Sequence, residues 1–142
     1  MYFYLTWYNM IDTYYDGIIV GKDFSYEYNL NKAGENMEEI KTIEQLHSVI
    51  EGEGLVVLEI ASKTCAPCIS IQRKIKAWAE QYPDIVTAYL EIELVPQAAG
   101  ALQIFTAPAV LVYFDGKLCV SKAGYFSLDE VFRQIERYMS MM

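Results

Sequence analysis

Leu55-Val56-Val57-Leu58-Glu59-Ile60, followed by Ala61-Ser62-Lys63-Thr64 and then Cys65-Ala66-Pro67-Cys68, decides the fold of this chain. The first six residues form a short apolar run rich in β-branched side chains, the pattern of a strand buried on both faces. After the cysteines, Ile71, Ile75, Trp78 and Tyr82 recur at helical spacing, so an apolar stripe runs along a helix that Pro83 stops. The two thiols therefore stand where a strand hands the chain to a helix. A helix N-terminus presents unpaired N–H groups and the positive end of the helix dipole, and both favour thiolate over thiol. Pro67 in the first helical turn has no N–H to lose and presets φ, which suits two sulfurs held in bonding geometry.

Outward from this point the pattern stays regular. Thr42-Ile43-Glu44-Gln45 fits a capping box ahead of Ile43, Leu46, Val49 and Ile50, which predicts a helix of about three turns running to Gly52. Ile85 to Ile92 reads as a second apolar strand and Ala98 to Gln103 as a short helix. Val110 to Phe114, the turn Asp115-Gly116, and Lys117 to Ser121 predict a hairpin. Ser127-Leu128-Asp129-Glu130 is a second capping box, and Leu128, Val131, Phe132, Ile135 and Met139 continue as a helical stripe. The order helix, strand, helix, strand, helix, hairpin, helix implies an α/β fold. Its central mixed sheet is parallel at the start, antiparallel at the hairpin, and flanked by helices on both faces.

Residues 1–36 are different in character. Ten of the twenty aromatic residues fall there, and the stretch ends in the polar, turn-prone Asn29 to Asn36. We read them as an aromatic-rich N-terminal extension, with a hairpin turning at Asp16-Gly17, and residues 37–142 as the main domain. The alternative is that Met37 is the start, since Ala33-Gly34-Glu35 can be encoded by a purine-rich stretch like a ribosome-binding site. The intact mass of the native protein decides between the two.

The net charge of −8 argues against nucleic acid or an anionic membrane as partner, because either demands a concentration of Lys and Arg. No apolar stretch approaches the ~18 residues of a membrane span. Met1 to Tyr8 lacks the basic and apolar regions of a signal peptide, and three cysteines do not make a disulfide-stapled secreted scaffold. The cytoplasm is the expected compartment. A lone C-x-x-C serves zinc, Fe–S and redox sites alike. A zinc site would have to recruit Cys119 and His47, which sit on separate predicted elements. Glu59, inside an apolar strand, is expected to have a raised pKa.

Strand, C-x-P-C and helix, followed about forty residues later by Thr106-Ala107-Pro108 and a strand–turn–strand through Asp115-Gly116-Lys117, resemble the thioredoxin family over residues 38–140. The resemblance implies the thioredoxin fold and thiol–disulfide oxidoreductase activity on protein disulfides, with a role in cell redox homeostasis. Cys65 would be the attacking thiol, Cys68 the resolving thiol and Glu59 the proton acceptor. It further implies a cis bond before Pro108 and a substrate-binding surface formed by Thr64, Pro67, Ala107 and Pro108. No metal and no cofactor are called for. A thioredoxin-reductase-like protein would donate the electrons, and Lys63 and Lys74 would add positive charge nearby. Thioredoxins carry tryptophan where this chain has Ala61 and Thr64, and often a buried lysine where it has Tyr89, so recognition of the usual partners is not implied. Cys119 is expected to be a small buried hydrophobe. The alternative function is a binding or redox-sensing module, docking or forming a homodimer through the extension.

Overall fold

The computed structural model describes residues 37–142. The extension, with the hairpin expected at Asp16-Gly17, lies outside the described residues.

The elements follow in the order β1 (Glu38–Ile40), α1 (Ile43–Ile50), β2 (Leu55–Ala61), α2 (Ala66–Ala79), β3 (Val86–Glu91), α3 (Gln97–Leu102), β4 (Ala109–Phe114), β5 (Lys117–Ala123) and α4 (Leu128–Met141). The sheet order is β1-β3-β2-β4-β5. β1 and β2 both run parallel to β3, while β4 is antiparallel to β2 and β5 to β4.

β2 is the middle strand and every one of its residues is buried. Successive side chains on a strand point to opposite faces. Leu55 and Val57 join Val110 and Val112 in a core covered by Ile75 and Trp78 of α2 and by Val131, Phe132 and Ile135 of α4. Val56, Leu58 and Ile60 join Ala88, Leu90 and Leu111 in a second core on the other face, closed by Leu46 of α1 and Ala98 of α3. The alternation puts Glu59 on the α2/α4 face.

Local chemistry sets the element ends. Thr42 Oγ1 accepts from the Gln45 N–H (3.1 Å), and Gln45 Oε1 accepts from the Lys41 N–H (2.9 Å), one residue ahead of the usual capping-box partner. Ser127 caps α4 by accepting from the Glu130 N–H (3.3 Å). In the hairpin turn Asp115 (φ 48°) and Gly116 (φ 81°) both occupy the left-handed region that a two-residue type I′ connection requires. Asp115 Oδ1 also accepts from the Gly54 N–H (2.8 Å), fastening the turn to the loop before β2.

Two differences from the sequence expectation have physical causes. α1 stops at Ile50, short of three turns, because the chain bends through Gly52 and Gly54, the latter at φ 81°. β1 escaped notice because Glu38-Glu39-Ile40 is too short to show a period and exists as a strand only through its pairing with β3.

Candidate active site

β2 delivers the chain to the N-terminus of α2, where Cys65 is the N-cap residue with extended backbone (φ −92°, ψ 97°). Pro67 lies in the first helical turn, which contains no acidic residue, so nothing within that turn offsets the positive end of the helix dipole. The Cys68 N–H donates to the Cys65 carbonyl (3.3 Å), closing the turn that brings the two side chains together. Cys65 and Cys68 are joined in a disulfide, with Cα atoms 5.5 Å apart. Cys65 is half-buried, whereas Cys68 is only 4% exposed.

A cleft of about 130 Å³ brings Cys65, Cys68 and Glu59 together, with Lys63, Gln72 and Tyr89 also in its wall. Glu59 is fully buried, and neither carboxyl oxygen has a hydrogen-bond partner. Removing a carboxylate from water without donors favours its neutral form. Burial accordingly pushes the Glu59 pKa up to about 8, against the opposing pull of the Lys76 ammonium. In register, Glu59 stands between Tyr89 on β3 and Val110 on β4. The Tyr89 phenol is itself shifted upward, first by burial and then by the carboxylates of Glu39 and Glu91.

The other residues singled out from the sequence are placed as follows. Thr64 and Pro67 are exposed at the mouth of the helix and do not line the cleft. Ala107 and Pro108 are half-buried, and their peptide bond is cis. Ala109 pairs with Ile60, so Pro108 falls at the edge of the sheet where β2 gives way to the cysteine loop. The Pro108 carbonyl accepts from the Gly124 N–H (2.9 Å), which ties this segment to the end of β5. Lys63 lines the cleft, but Lys74 does not. Cys119 is half-buried at the margin of the α2/α4 core, less enclosed than expected, and its sulfur lies 3.5 Å from the Lys117 carbonyl. His47 is exposed on α1. Among the described residues no three His, Cys, Asp or Glu side chains gather as a metal site. No helix among them is long and apolar enough to cross a membrane.

The sequence reading missed Glu93 and Lys76. Glu93 Oε1 accepts from Ser62 Oγ (2.5 Å) and from the Lys63 N–H (3.2 Å), across thirty-one and thirty residues of chain. Lys76 acts on Glu59 from α2, on a different element from β3, where Tyr89 takes the place of the lysine that thioredoxins often carry. Neither pairing has a local signal, since an acidic residue in a loop and a lysine on an exposed helix face look like ordinary solvated surface.

Comparison with known proteins agrees with this geometry. The family model described as Thioredoxin matches residues 37–137. The thioredoxin-like protein YdfQ of Bacillus subtilis is 21% identical over 104 residues, covering 69% of this chain and 93% of that protein. Thioredoxin-1 of Saccharomyces cerevisiae is 28% identical over 86 residues, covering 61% of this chain and 84% of its own length. Among solved structures, thioredoxin from Trypanosoma brucei brucei superposes with a TM-score of 0.69 at 15% identity, over 75% of this chain and 94% of that one, a likeness of fold.

Proposed function

The chain belongs to the thioredoxin family of thiol–disulfide oxidoreductases, and on that premise we propose that it reduces protein disulfides, with Cys65 attacking, Cys68 resolving and Glu59 taking the proton. The Cys65 thiolate displaces one sulfur of a substrate disulfide, forming a Cys65–substrate disulfide and releasing a substrate thiolate that picks up a proton. Cys68 passes its proton to ionised Glu59 and attacks the Cys65 sulfur. The second substrate thiolate leaves, and two electrons have moved from the dithiol to the substrate. The observation that carries this reading is the meeting of both cysteines with a buried, unpartnered carboxyl in one cleft. A Glu59 with a pKa of about 8 suits the end of that cycle, because it holds the proton while the disulfide is formed.

Recognition of a polypeptide is supported by the surface around the disulfide. Ile69 opens α2, Leu94 follows β3, Phe105 precedes β4 and Tyr125 follows β5, and all four side chains are exposed. The strand directions bring these chain ends to the same edge of the sheet as Cys65. They offer apolar contact without the two tryptophans that thioredoxins carry. Pro67, Thr64, Ala107 and Pro108 are proposed to complete that surface.

Catalytic amounts of the protein should accelerate the reduction of insulin by dithiothreitol, followed as turbidity. An uncatalysed rate would overturn the proposal. A second arm replaces dithiothreitol with NADPH and a thioredoxin reductase. Turnover there supports a reductase of that type as electron donor, and none removes it. A cytoplasmic setting is the one in which such a donor keeps the pair reduced.

The concentration of aromatic residues in 1–36 favours a further role in docking or self-association. Deleting residues 1–36 should leave insulin reduction within about twofold, while light scattering should find a dimer only for the full chain. Equal masses per particle, corrected for the deletion, would dismiss self-association through these residues.

A further inference from the structure

Three residues, Ser62, Lys63 and Thr64, connect the end of β2 to Cys65. None has a large apolar side chain that could anchor the turn by packing. What holds them is a carboxylate from another part of the chain. Glu93 lies two residues beyond β3, and its Oε1 accepts from both Ser62 Oγ (2.5 Å) and the Lys63 N–H (3.2 Å). Ser62 Oγ lies 3.2 Å from Thr64 Oγ1 and accepts from the Thr64 N–H (3.4 Å). A serine hydroxyl has one proton, and here it goes to Glu93, so Thr64 Oγ1 donates to Ser62 in turn. The Ser62 carbonyl accepts from the Cys65 N–H (3.1 Å). Behind the turn, the Ile92 N–H donates to the Ala61 carbonyl (3.0 Å) and carries the β2–β3 ladder up to the point where the two chains part.

Cys65 and Thr64 thus each bond to Ser62, Cys65 at its carbonyl and Thr64 at its hydroxyl, and the Ser62 hydroxyl bonds in turn to the Glu93 carboxylate. Hydrogen bonds to an ionised acceptor are the stronger kind, and a chain of them reinforces its members. While the Cys65–Cys68 bond exists, the bond itself holds the two sulfurs together. Once it is reduced, only the turn and the helix keep Cys65 in place. Catalysis by a positioned nucleophile is sensitive to displacements of about 1 Å.

We propose that Glu93 is a positioning residue for Cys65, its carboxylate pinning the Ser62-Lys63-Thr64 turn so that the reduced thiol stays at the N-terminus of α2, facing Cys68. Freeing the turn gives the dithiol conformational freedom that disulfide formation must then remove. The disulfide becomes easier to reduce, and Cys65 attacks a substrate more slowly.

The proposal rests on the disulfide-exchange reading of the site, and its test needs no protein substrate. The full chain is equilibrated in glutathione buffers and alkylated, and the Cys65–Cys68 redox state is read by peptide mass. For Glu93→Ala the equilibrium constant for disulfide formation should fall about tenfold, the size that one hydrogen bond to a charged group supports. That is an upward shift in potential of about 30 mV. Glu93→Gln keeps an oxygen that accepts the same two bonds, uncharged and so about half as strong, and should recover about half of that shift in potential. Ser62→Ala should follow Glu93→Ala.

An unchanged equilibrium constant in Glu93→Ala would overturn the proposal. So would Glu93→Gln matching Glu93→Ala, since the effect would then belong to the charge and not to the hydrogen bonds. Glu93 is exposed, and circular dichroism establishes that each variant is folded before it is titrated. If wild type fails in the insulin assay yet the glutathione equilibrium moves as stated, the proposed function falls and the positioning role stands.

Discussion

Cys65→Ser is expected to abolish the acceleration of insulin reduction, and Cys68→Ser to stop the reaction halfway, with the protein covalently attached to its substrate. The difference follows from where each sulfur sits. Cys65 is half-buried at the helix N-terminus, the more accessible of the two to a substrate disulfide, while Cys68 is only 4% exposed and bonded to Cys65. A serine hydroxyl is not appreciably ionised near neutral pH and does not open a disulfide, so the first variant has no nucleophile. The second keeps its nucleophile but has lost the group that ejects the substrate. A non-reducing gel of Cys68→Ser with insulin should show an adduct that dithiothreitol dissolves, with the cross-linked peptide containing Cys65. An adduct mapped to Cys119, or full activity in Cys65→Ser, would refute the assignment. Cys119 lies on β5 and does not line the cleft.

Glu59→Gln should make the oxidised protein more stable than wild type at alkaline pH. The ordinary glutamate value of 4.5 is raised to about 8 in the folded chain, chiefly by burial. Between those two pH values the folded state holds a proton that the unfolded state has released, so stability falls as pH rises through this window. The protonated carboxyl contributes its full stability below about pH 4.5, and that contribution is gone once the pH exceeds about 8. From pH 5 to pH 9 the wild type should lose on the order of 4 kcal/mol through this one group. Glutamine has the shape of the neutral acid and no proton to lose, so its urea midpoint should change far less over the same range. Tyr89 from β3, Lys76 from α2, and Lys63 and Glu91 at the cleft also face the site, and all remain in both proteins, which makes the difference between their pH profiles specific to Glu59. Parallel profiles for the two proteins would mean that Glu59 ionises normally. The same substitution should slow release of substrate by Cys68, because the amide cannot accept the proton.

Much of this arrangement was legible in the chain because its causes are local. The N-caps at Thr42 and Ser127 and the left-handed pair Asp115-Gly116 are short-range devices whose residue types announce them. The stripe of Ile71, Ile75 and Trp78 follows from the helical period of 3.6, and the run from Leu55 from its short, continuous, β-branched apolar content. Glu59 was conspicuous because a carboxyl in such a run has few ways to be satisfied. Other features left no mark of this kind. Glu38-Glu39-Ile40 pairs with Ala88-Tyr89-Leu90 across about fifty residues, and three residues cannot show a period. Glu93 finds Ser62 across thirty-one residues, yet in the sequence it reads as one more acid on a solvated loop.

By itself, then, the sequence determined the family and singled out the candidate site residues: two thiols at a strand-to-helix junction, a proline in the first helical turn and a carboxyl inside an apolar strand. Each is a property of residue type and spacing, and those survive without knowledge of the fold. The tertiary structure decided the environment in which those groups act. Packing α2 and α4 over one face of the sheet left both Glu59 oxygens without a partner. The β2–β4 pairing brought Pro108 to the edge where the cysteine loop begins, and the β3 exit brought Glu93 under that loop. Desolvation, charge and hydrogen bonding depend on distances between segments far apart in the chain, and only the assembled sheet sets those distances.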